Sequence, residues 1–283
     1  MTPGNRLINL LNTPQTRTLL EKLIFFQYQR KGKKIESVKY HQDFGAWEFR
    51  ISGTTYLSSG PGWIYDGPYL LSLFKTLSGN RYTPAHGDTV IDIGAGVGEE
   101  TIVLSGLVGP TGKVYAIEAH PRTFKALQYL VTSNKLPNTV LSNVAVSDKN
   151  GPVMIEDTES SLGNSILQNT GTNQFEIPGE TLDHYVQRHG ITRIDLLKMN
   201  VEGAEQLIVK GMEDCWSIVK NVAISCHDFR FRRGESEFFK TKDIIINTLV
   251  SRGFKIDTQQ TSDFMVDDYV YGVNPRFAST SEQ

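Results

Sequence analysis

The sequence predicts an α/β fold: a doubly wound, mostly parallel sheet that ends in an antiparallel hairpin and follows an N-terminal extension. Three observations carry this. From about residue 86 onward, short apolar runs alternate with helical patterns, the order that builds a parallel sheet covered on both faces. A glycine turn separates the first apolar run from the first helix. The last two β-rich runs, Phe254 to Gln259 and Asp268 to Val273, pair as a closing hairpin.

The elements follow in order. Asp88 to Ile93 is a continuous β-rich run, and Glu99 to Leu107 is helical. Pro110-Thr111-Gly112 turns the chain into a second strand, Lys113 to Glu118. Pro121 suits a first helical position and opens a helix that runs to about Asn134. Further strands are expected at Thr139 to Val146, Ile194 to Met199 and Val222 to Cys226. Helices are expected at Thr181 to Arg188, Ala204 to Trp216 and Ser236 to Arg252. The stretch from Asn150 to Pro178, rich in Ser, Asn, Thr and Gly, predicts a hairpin or loop.

Residues 1–85 lack this alternation and read as an extension packed on the 86–283 core. They offer a helical start, strands in WEFRIS and TTYLS, and the aromatic segment GPGWIYDGPYLLSLF. Leu19 to Phe26 is too short for a membrane span and precedes, rather than follows, the basic group Arg30, Lys31, Lys33 and Lys34. A packing helix with a basic edge is expected there, not a signal peptide or a stable membrane insertion.

Composition narrows the function. The chain has 283 residues, 29 Lys+Arg and 31 Asp+Glu, for a net charge of -2, and 39% hydrophobic residues. A disordered or collagen-like chain is excluded, and a nucleic-acid partner is not expected without a cationic surplus. Yet the first 50 residues carry a net +5, so the remainder carries -7. The two cysteines, Cys215 and Cys226, lack metal-ligand spacing and fit a reducing, cytoplasmic setting.

Chemistry concentrates in Val90-Ile91-Asp92-Ile93-Gly94-Ala95-Gly96-Val97-Gly98. Its G-x-G-x-G spacing is one residue shorter than a dinucleotide fingerprint, but the physical need is the same. Bare backbone lets a ligand approach, and a helix N-terminus favours an anionic group. Glu118 closes the second strand, where a carboxylate can take both hydroxyls of a ribose. By itself the spacing supports a nucleotide-like ligand.

Asp92 with this glycine pattern resembles the first motif of Rossmann-like, class I S-adenosylmethionine-dependent methyltransferases. A second segment, TLDHYVQRHGITRIDLLKMNVEGAEQLIVKGM at 181–212, is similar to the signature of FkbM-type methyltransferases, mostly O-methyltransferases. Val114-Tyr115-Ala116-Ile117-Glu118 with His120-Pro121, and Val144-Ala145-Val146-Ser147-Asp148 with Gly151, support the same resemblance. It implies S-adenosyl-L-methionine as cofactor, held by Asp92, Gly94, Gly96, Gly98 and Thr101. Glu118 and the adjacent Ala119 would meet the ribose, Val144 and Ala145 the adenine, and Asn200 the methyl end.

The chain departs from that family at Asn200, where Asp is usual. Asn keeps hydrogen bonding but loses the charge, so no metal is expected. His227, ending the fifth core strand, is expected to act as a base or acceptor-orienting group, or else to be structural. Glu202 either orients the acceptor or His227, or simply complements a helix dipole. Arg230, Arg232 and Arg233 read either as an anion-recognising group or as a solvated charge run. Trp63, Tyr65 and Tyr69 read as a lid or as packing.

The expected activity is methyl transfer to a hydroxyl of a small molecule, sugar or other natural product. Two rivals stand beside it: a cofactor-binding protein without catalysis, and an NAD-dependent oxidoreductase. The acceptor and the oligomeric state are not encoded in any motif.

Overall fold

The computed structural model describes residues 12–61, 66–156 and 174–277. At its centre lies a seven-stranded sheet. Its strands are β4 (Thr89–Ile93), β5 (Lys113–Ile117), β6 (Thr139–Ser142), β10 (Leu196–Asn200), β11 (Asn221–Ser225), β12 (Lys255–Thr258) and β13 (Tyr269–Val273). Their order is β12-β13-β11-β10-β4-β5-β6, all parallel except β13, which runs antiparallel to both neighbours. The chain therefore reverses direction across the sheet between β4 and β10, and a ligand crevice opens outside the strand carboxyl ends at such a switch point.

Strand alternation divides the core in two. Ile91, Ile93, Leu197 and Met199 point to one face, where they pack with Leu182, Tyr185, Ile208 and Leu249. Those partners lie on or beside α5 (Leu182–His189), α6 (Glu205–Lys210) and α8 (Lys242–Ser251). Val90, Ala116, Leu196 and Ala223 point to the other face and pack with Leu104, Leu127 and Leu130. Here the cover is α3 (Glu99–Val108) and α4 (Pro121–Ser133). Asp92 and Lys198 stand opposite one another in adjacent parallel strands, so both project toward this second face.

The N-terminal part forms its own small layer. Helix α1 (Arg17–Arg30) lies on an antiparallel sheet of β1 (Ile35–His41), β2 (Ala46–Ile51) and β3 (Thr54–Ser58). Leu20, Ile24, Trp47 and Phe49 make its core, while Leu19, Leu23 and Phe26 stay exposed. Strand β1 is not anticipated from the sequence, because its charged and aromatic positions blur the alternation. The layer docks on α4: Asn134 exchanges hydrogen bonds with the Thr55 backbone at 2.9 and 2.8 Å, and Tyr129 donates to Glu48 at 2.7 Å. Helix α2 (Gly67–Thr76) follows, capped by Asp66.

Three expected elements are broken by side chains that satisfy backbone groups. The run 139–146 splits at Asn143, whose amide donates to the carbonyls of Glu118 and Ala119 at 2.8 and 2.9 Å. Its second part, β7 (Ala145–Val146), joins β8 (Gly151–Glu156) and β9 (Gln174–Glu180) in a separate sheet in the order β7-β9-β8. That sheet bears out a hairpin in the polar stretch, whose middle lies outside the described residues. The helix expected to Trp216 stops at Lys210, because Asp183 accepts from the amides of Glu213, Asp214 and Cys215 at 2.8, 3.0 and 2.9 Å. The helix expected from Ser236 starts at Lys242, where Asp228 accepts from the amides of Thr241 and Lys242. Short helices α7 (Asp228–Arg232) and α9 (Phe264–Asp267) complete the carboxyl edge of the sheet. Among the described residues, no helix is long and apolar enough to cross a membrane.

Asp183 yields a direct expectation. Burial pushes its carboxyl up, but the amide and thiol of Cys215 and the other two amides outweigh this and hold it below the usual range. Its stabilisation is thus present above the unfolded carboxylate pKa and is lost as pH falls through the lower folded value. Asp183→Ala should cost about 2 kcal/mol at neutral pH. Urea unfolding at pH 7 and pH 3 checks this, with a smaller difference expected at the lower pH.

Candidate active site

The crevice expected from the strand order is present. Its floor is the glycine turn after β4, and Ile117, Val144, Ala145 and Ile155 give it apolar walls. Counting its solvent-open mouth, the cleft encloses about 1020 Å3. Gly94, Gly96, Glu118, Ala119, Val144, Ala145, Asn200 and Glu202 all line it.

The glycine turn has a steric cause. Gly94 has φ +74, and a Cβ there would sit 2.0 Å from the carbonyl oxygen of Asn200, so no other residue fits. At Gly96, φ is +58 and nothing lies within 4 Å of where a Cβ would be. Its backbone therefore faces open cleft. Glu118 locks the turn from the side: it accepts from the Gly96 and His120 amides, each at 2.9 Å. Burial pushes its carboxyl up against the opposing pull of these two amides. Each carboxylate oxygen keeps a further lone pair for a ligand hydroxyl.

Other expected ligands stand behind the wall. Asp92 and Thr101 are fully buried, and Thr101 donates to Asp92 at 2.9 Å. Gly98 has φ +98 and packs toward Leu127 and Leu130 of α4. These three build the turn from beneath and do not line the cleft.

Lys198, for which no sequence motif signals a role, organises this floor. Its ammonium lies 2.9 Å from Asp92 and 3.0 Å from Glu100, and it donates to the Gly94 carbonyl at 3.3 Å. Burial works to lower its pKa, but the two carboxylates raise it, so it stays charged. Glu100 also accepts from Ser78 at 2.5 Å, and Ser78 in turn meets the Tyr269 hydroxyl at 3.1 Å. A lysine in the middle of an apolar strand run (LLKMN) was the available clue, since a buried cation needs buried anions. Glu99 and Glu100, at the start of α3, were also passed over; both line the cleft.

The opposite side of the cleft, formed by the residues after β10, is charged and tethered. Glu202 sits at φ +51, a left-handed conformation that costs a non-glycine residue energy. Its carboxylate is held by Arg230 at 2.8 Å and by His227 at 3.3 Å. Burial pushes its pKa up, but His227 and Arg230 outweigh that and lower it. His227 is buried and bonds Glu205 at 2.7 Å through its other nitrogen. Burial alone would lower its pKa; the carboxylates of Glu205 and Glu202 instead push it from 6.5 up to about 10. At neutral pH the ring is an imidazolium with no free lone pair, so it holds Glu202 rather than receiving a proton.

The arginine run resolves in the same way. Arg230 also pairs with Glu235 at 2.6 Å, and Arg232 grips Asp268 at 2.9 Å. Arg233 lies over the rings of Phe229 and Phe264. Two of the three guanidiniums are therefore committed to internal carboxylates. His184, on α5, pairs with Glu180, and His189, at the end of the same helix, lies tilted against the Tyr185 ring, so the two imidazoles share no common ligand position. Tyr69 is exposed on α2; Trp63 and Tyr65 lie outside the described residues. No group of three or more His, Cys, Asp or Glu among the described residues is arranged to hold a metal ion.

Strand order, glycine turn and ribose-ready carboxylate together define a class I S-adenosylmethionine-dependent methyltransferase. The chain belongs to the FkbM family: the Methyltransferase FkbM domain matches residues 92–256. The 31-O-demethyl-FK506 methyltransferase FkbM of Streptomyces tacrolimicus is 25% identical over 209 residues, covering 62% of this chain and 75% of that protein. Among solved structures, the methyltransferase FkbM from Methylobacillus flagellatus KT is similar, with 15% identity and a TM-score of 0.49. That match covers 72% of this chain and 53% of the other. Aeropyrum pernix fibrillarin, solved with S-adenosyl-L-methionine bound, gives 18% identity and a TM-score of 0.44 over 85% of this chain and all of that one. The family sets aside the nicotinamide-dependent alternative. Open backbone at Gly96, the Glu118 carboxylate and the apolar walls fit the cofactor's ribose and adenine.

Lys198→Met should destabilise the protein by about 3 kcal/mol or more, because two carboxylates lose their shared cation. A fall in the urea midpoint measures this. For His227, whose folded pKa is raised, the stability from its charge is fully present below pH 6.5 and lost as pH rises through about 10. The stability gap between wild type and His227→Gln should therefore narrow between pH 6.5 and pH 10; a flat gap would mean a neutral ring.

Proposed function

We propose that this methyltransferase acts on a hydroxyl oxygen of a small molecule or glycan, with Glu202 as the group that receives the acceptor's proton. The observation that carries this reading is the strained, pinned carboxylate of Glu202 beside Asn200 at the mouth of the cleft. The activity for which the Streptomyces relative is named, 31-O-demethyl-FK506 methylation, supports an oxygen acceptor.

The cofactor, when bound, supplies an electrophilic methyl on a positively charged sulfur. Transfer of that methyl to the acceptor oxygen would leave the carbon–sulfur electron pair on sulfur, and the chain's part is to align the acceptor and take up its proton. As the new oxygen–carbon bond forms, the hydroxyl proton becomes strongly acidic and passes to Glu202. A carboxylate of lowered pKa suffices, since the proton is lost from a developing oxonium rather than from a neutral alcohol. Asn200 orients the hydroxyl by donating or accepting a hydrogen bond without adding charge beside Glu202. His227 and Arg230 act as positioning residues that fix the carboxylate. Positioning supplies most of the acceleration in such a displacement.

Glu202→Gln should lower kcat by roughly 10²-fold or more, with the Kd for S-adenosylmethionine little changed. Purified protein, methyl-labelled cofactor and a panel of hydroxylated acceptors test this. Label appearing in an ether would support the proposal. Transfer only to nitrogen or carbon acceptors, or full turnover by Glu202→Gln, would overturn it.

A further inference from the structure

Glu99 is the one cleft carboxyl for which the chain supplies no hydrogen bond or ion pair among the described residues. It is the first residue of α3, and it lines the cleft beside Gly96. Every other acid around the cleft is answered from within. Glu118 takes two backbone amides, Glu202 takes Arg230 and His227, and Asp92 and Glu100 share Lys198. Lys198 gives its contacts to those two carboxylates and the Gly94 carbonyl; it makes no hydrogen bond or ion pair with Glu99 and only partly offsets, through its charge, the upward push of burial and Glu100.

We infer that Glu99 is the counter-ion for a positive charge carried by the cofactor, and that it reads the ligand's charge rather than its shape. The inference rests on S-adenosylmethionine as ligand, whose sulfonium and amino-acid ammonium are both cationic. A carboxylate poised in a largely desolvated cleft, next to the like charge of Glu100, gains most from an incoming cation. The N-terminal end of α3 favours an anion at this position, yet burial and Glu100 still push the Glu99 carboxyl up to about 7. The free protein is thus partly protonated there at neutral pH, and a bound cation would drive the proton off. The charged or titratable neighbours facing this part of the cleft are Glu100 on α3, Lys198 on β10, Glu118 and His120 after β5, and Glu202 after β10, with the buried Asp92 behind Lys198.

The sign follows. Ligand affinity should rise with pH through about 7, because only the ionised carboxyl binds the cation. For a group of this pKa the gain between pH 6 and pH 8 is roughly tenfold. Glu99→Gln should erase that gain and bind S-adenosylmethionine roughly tenfold more weakly at pH 8.

Isothermal titration of the full chain with three ligands provides the test, with melting temperature as the check on folding. S-adenosylmethionine carries both cations, S-adenosylhomocysteine keeps only the ammonium, and 5′-methylthioadenosine carries neither. Binding of S-adenosylmethionine by the wild type tests the cofactor reading independently of Glu99. Weakening of the first two ligands in Glu99→Gln, with methylthioadenosine unaffected, supports the inference and assigns the ammonium. Weakening of S-adenosylmethionine alone also supports it and assigns the sulfonium. Unchanged binding of S-adenosylmethionine, or equal weakening of all three ligands, overturns it.

Discussion

The site depends on one buried cation. Lys198 stands opposite Asp92 across the parallel pair β10 and β4, so strand register alone brings the two charges to the same face. With Glu100 added, the ammonium ties the middle strand, the first strand and the start of α3 to one point. Its contact with the Gly94 carbonyl reaches the turn that shapes the cleft floor. Buried ion groups of this kind are weak contributors to net stability, yet removing one member is costly. Their value here is geometric, since the alternative for each group is a buried charge without a partner.

That constraint explains why Asp92, Thr101 and Gly98 are essential to the motif without touching the cleft. Asp92 has Lys198 on one oxygen and Thr101 on the other, which leaves it turned inward. Gly98 allows α3 and α4 to approach closely through Leu127 and Leu130. The residues that face a ligand are those whose backbone or carboxylate remains open, Gly96 and Glu118 among them. A linear motif mixes these two kinds of residue because both are needed within one turn of chain.

Much of this was legible in the sequence. The central strands β4, β5, β10 and β11 are short apolar runs bounded by turns, and burial on both faces gives them an unambiguous composition. The cleft half of the site followed, because a glycine turn between a strand and a helix has few physical readings. Boundaries failed where a distant side chain intervened: Asn143 cut a strand by capturing carbonyls from another loop, and Asp183 ended a helix from 30 residues away. Neither event leaves a local trace. Strand β1 was hidden for a different reason: Glu36 and Lys39 stay exposed, while the aromatic Tyr40 is covered by the Arg17 guanidinium of α1, so polar and apolar positions do not alternate cleanly. His227 was legible as a rim residue but not as an imidazolium, because Glu205 and Glu202 reach it only in the folded chain.

The two halves of the site are built to different standards of rigidity. The cofactor half sits on strand ends and a turn that admits no alternative residue at Gly94. The other half, which the proposed function assigns to the acceptor, sits on a loop whose strained Glu202 is held by Arg230 of α7 and by His227 just after β11. A group held by ion pairs can be re-aimed by changing its partners, whereas one fixed by sterics cannot. The glycine turn, by contrast, is held by the Asp92–Lys198 register and the Gly94 carbonyl, so it is fixed by the strands themselves. The sequence divides accordingly: its recognisable motifs belong to the glycine-turn half, and the arginine run that holds Glu202 and Asp268 looks like an ordinary charge run until the fold brings those carboxylates to it.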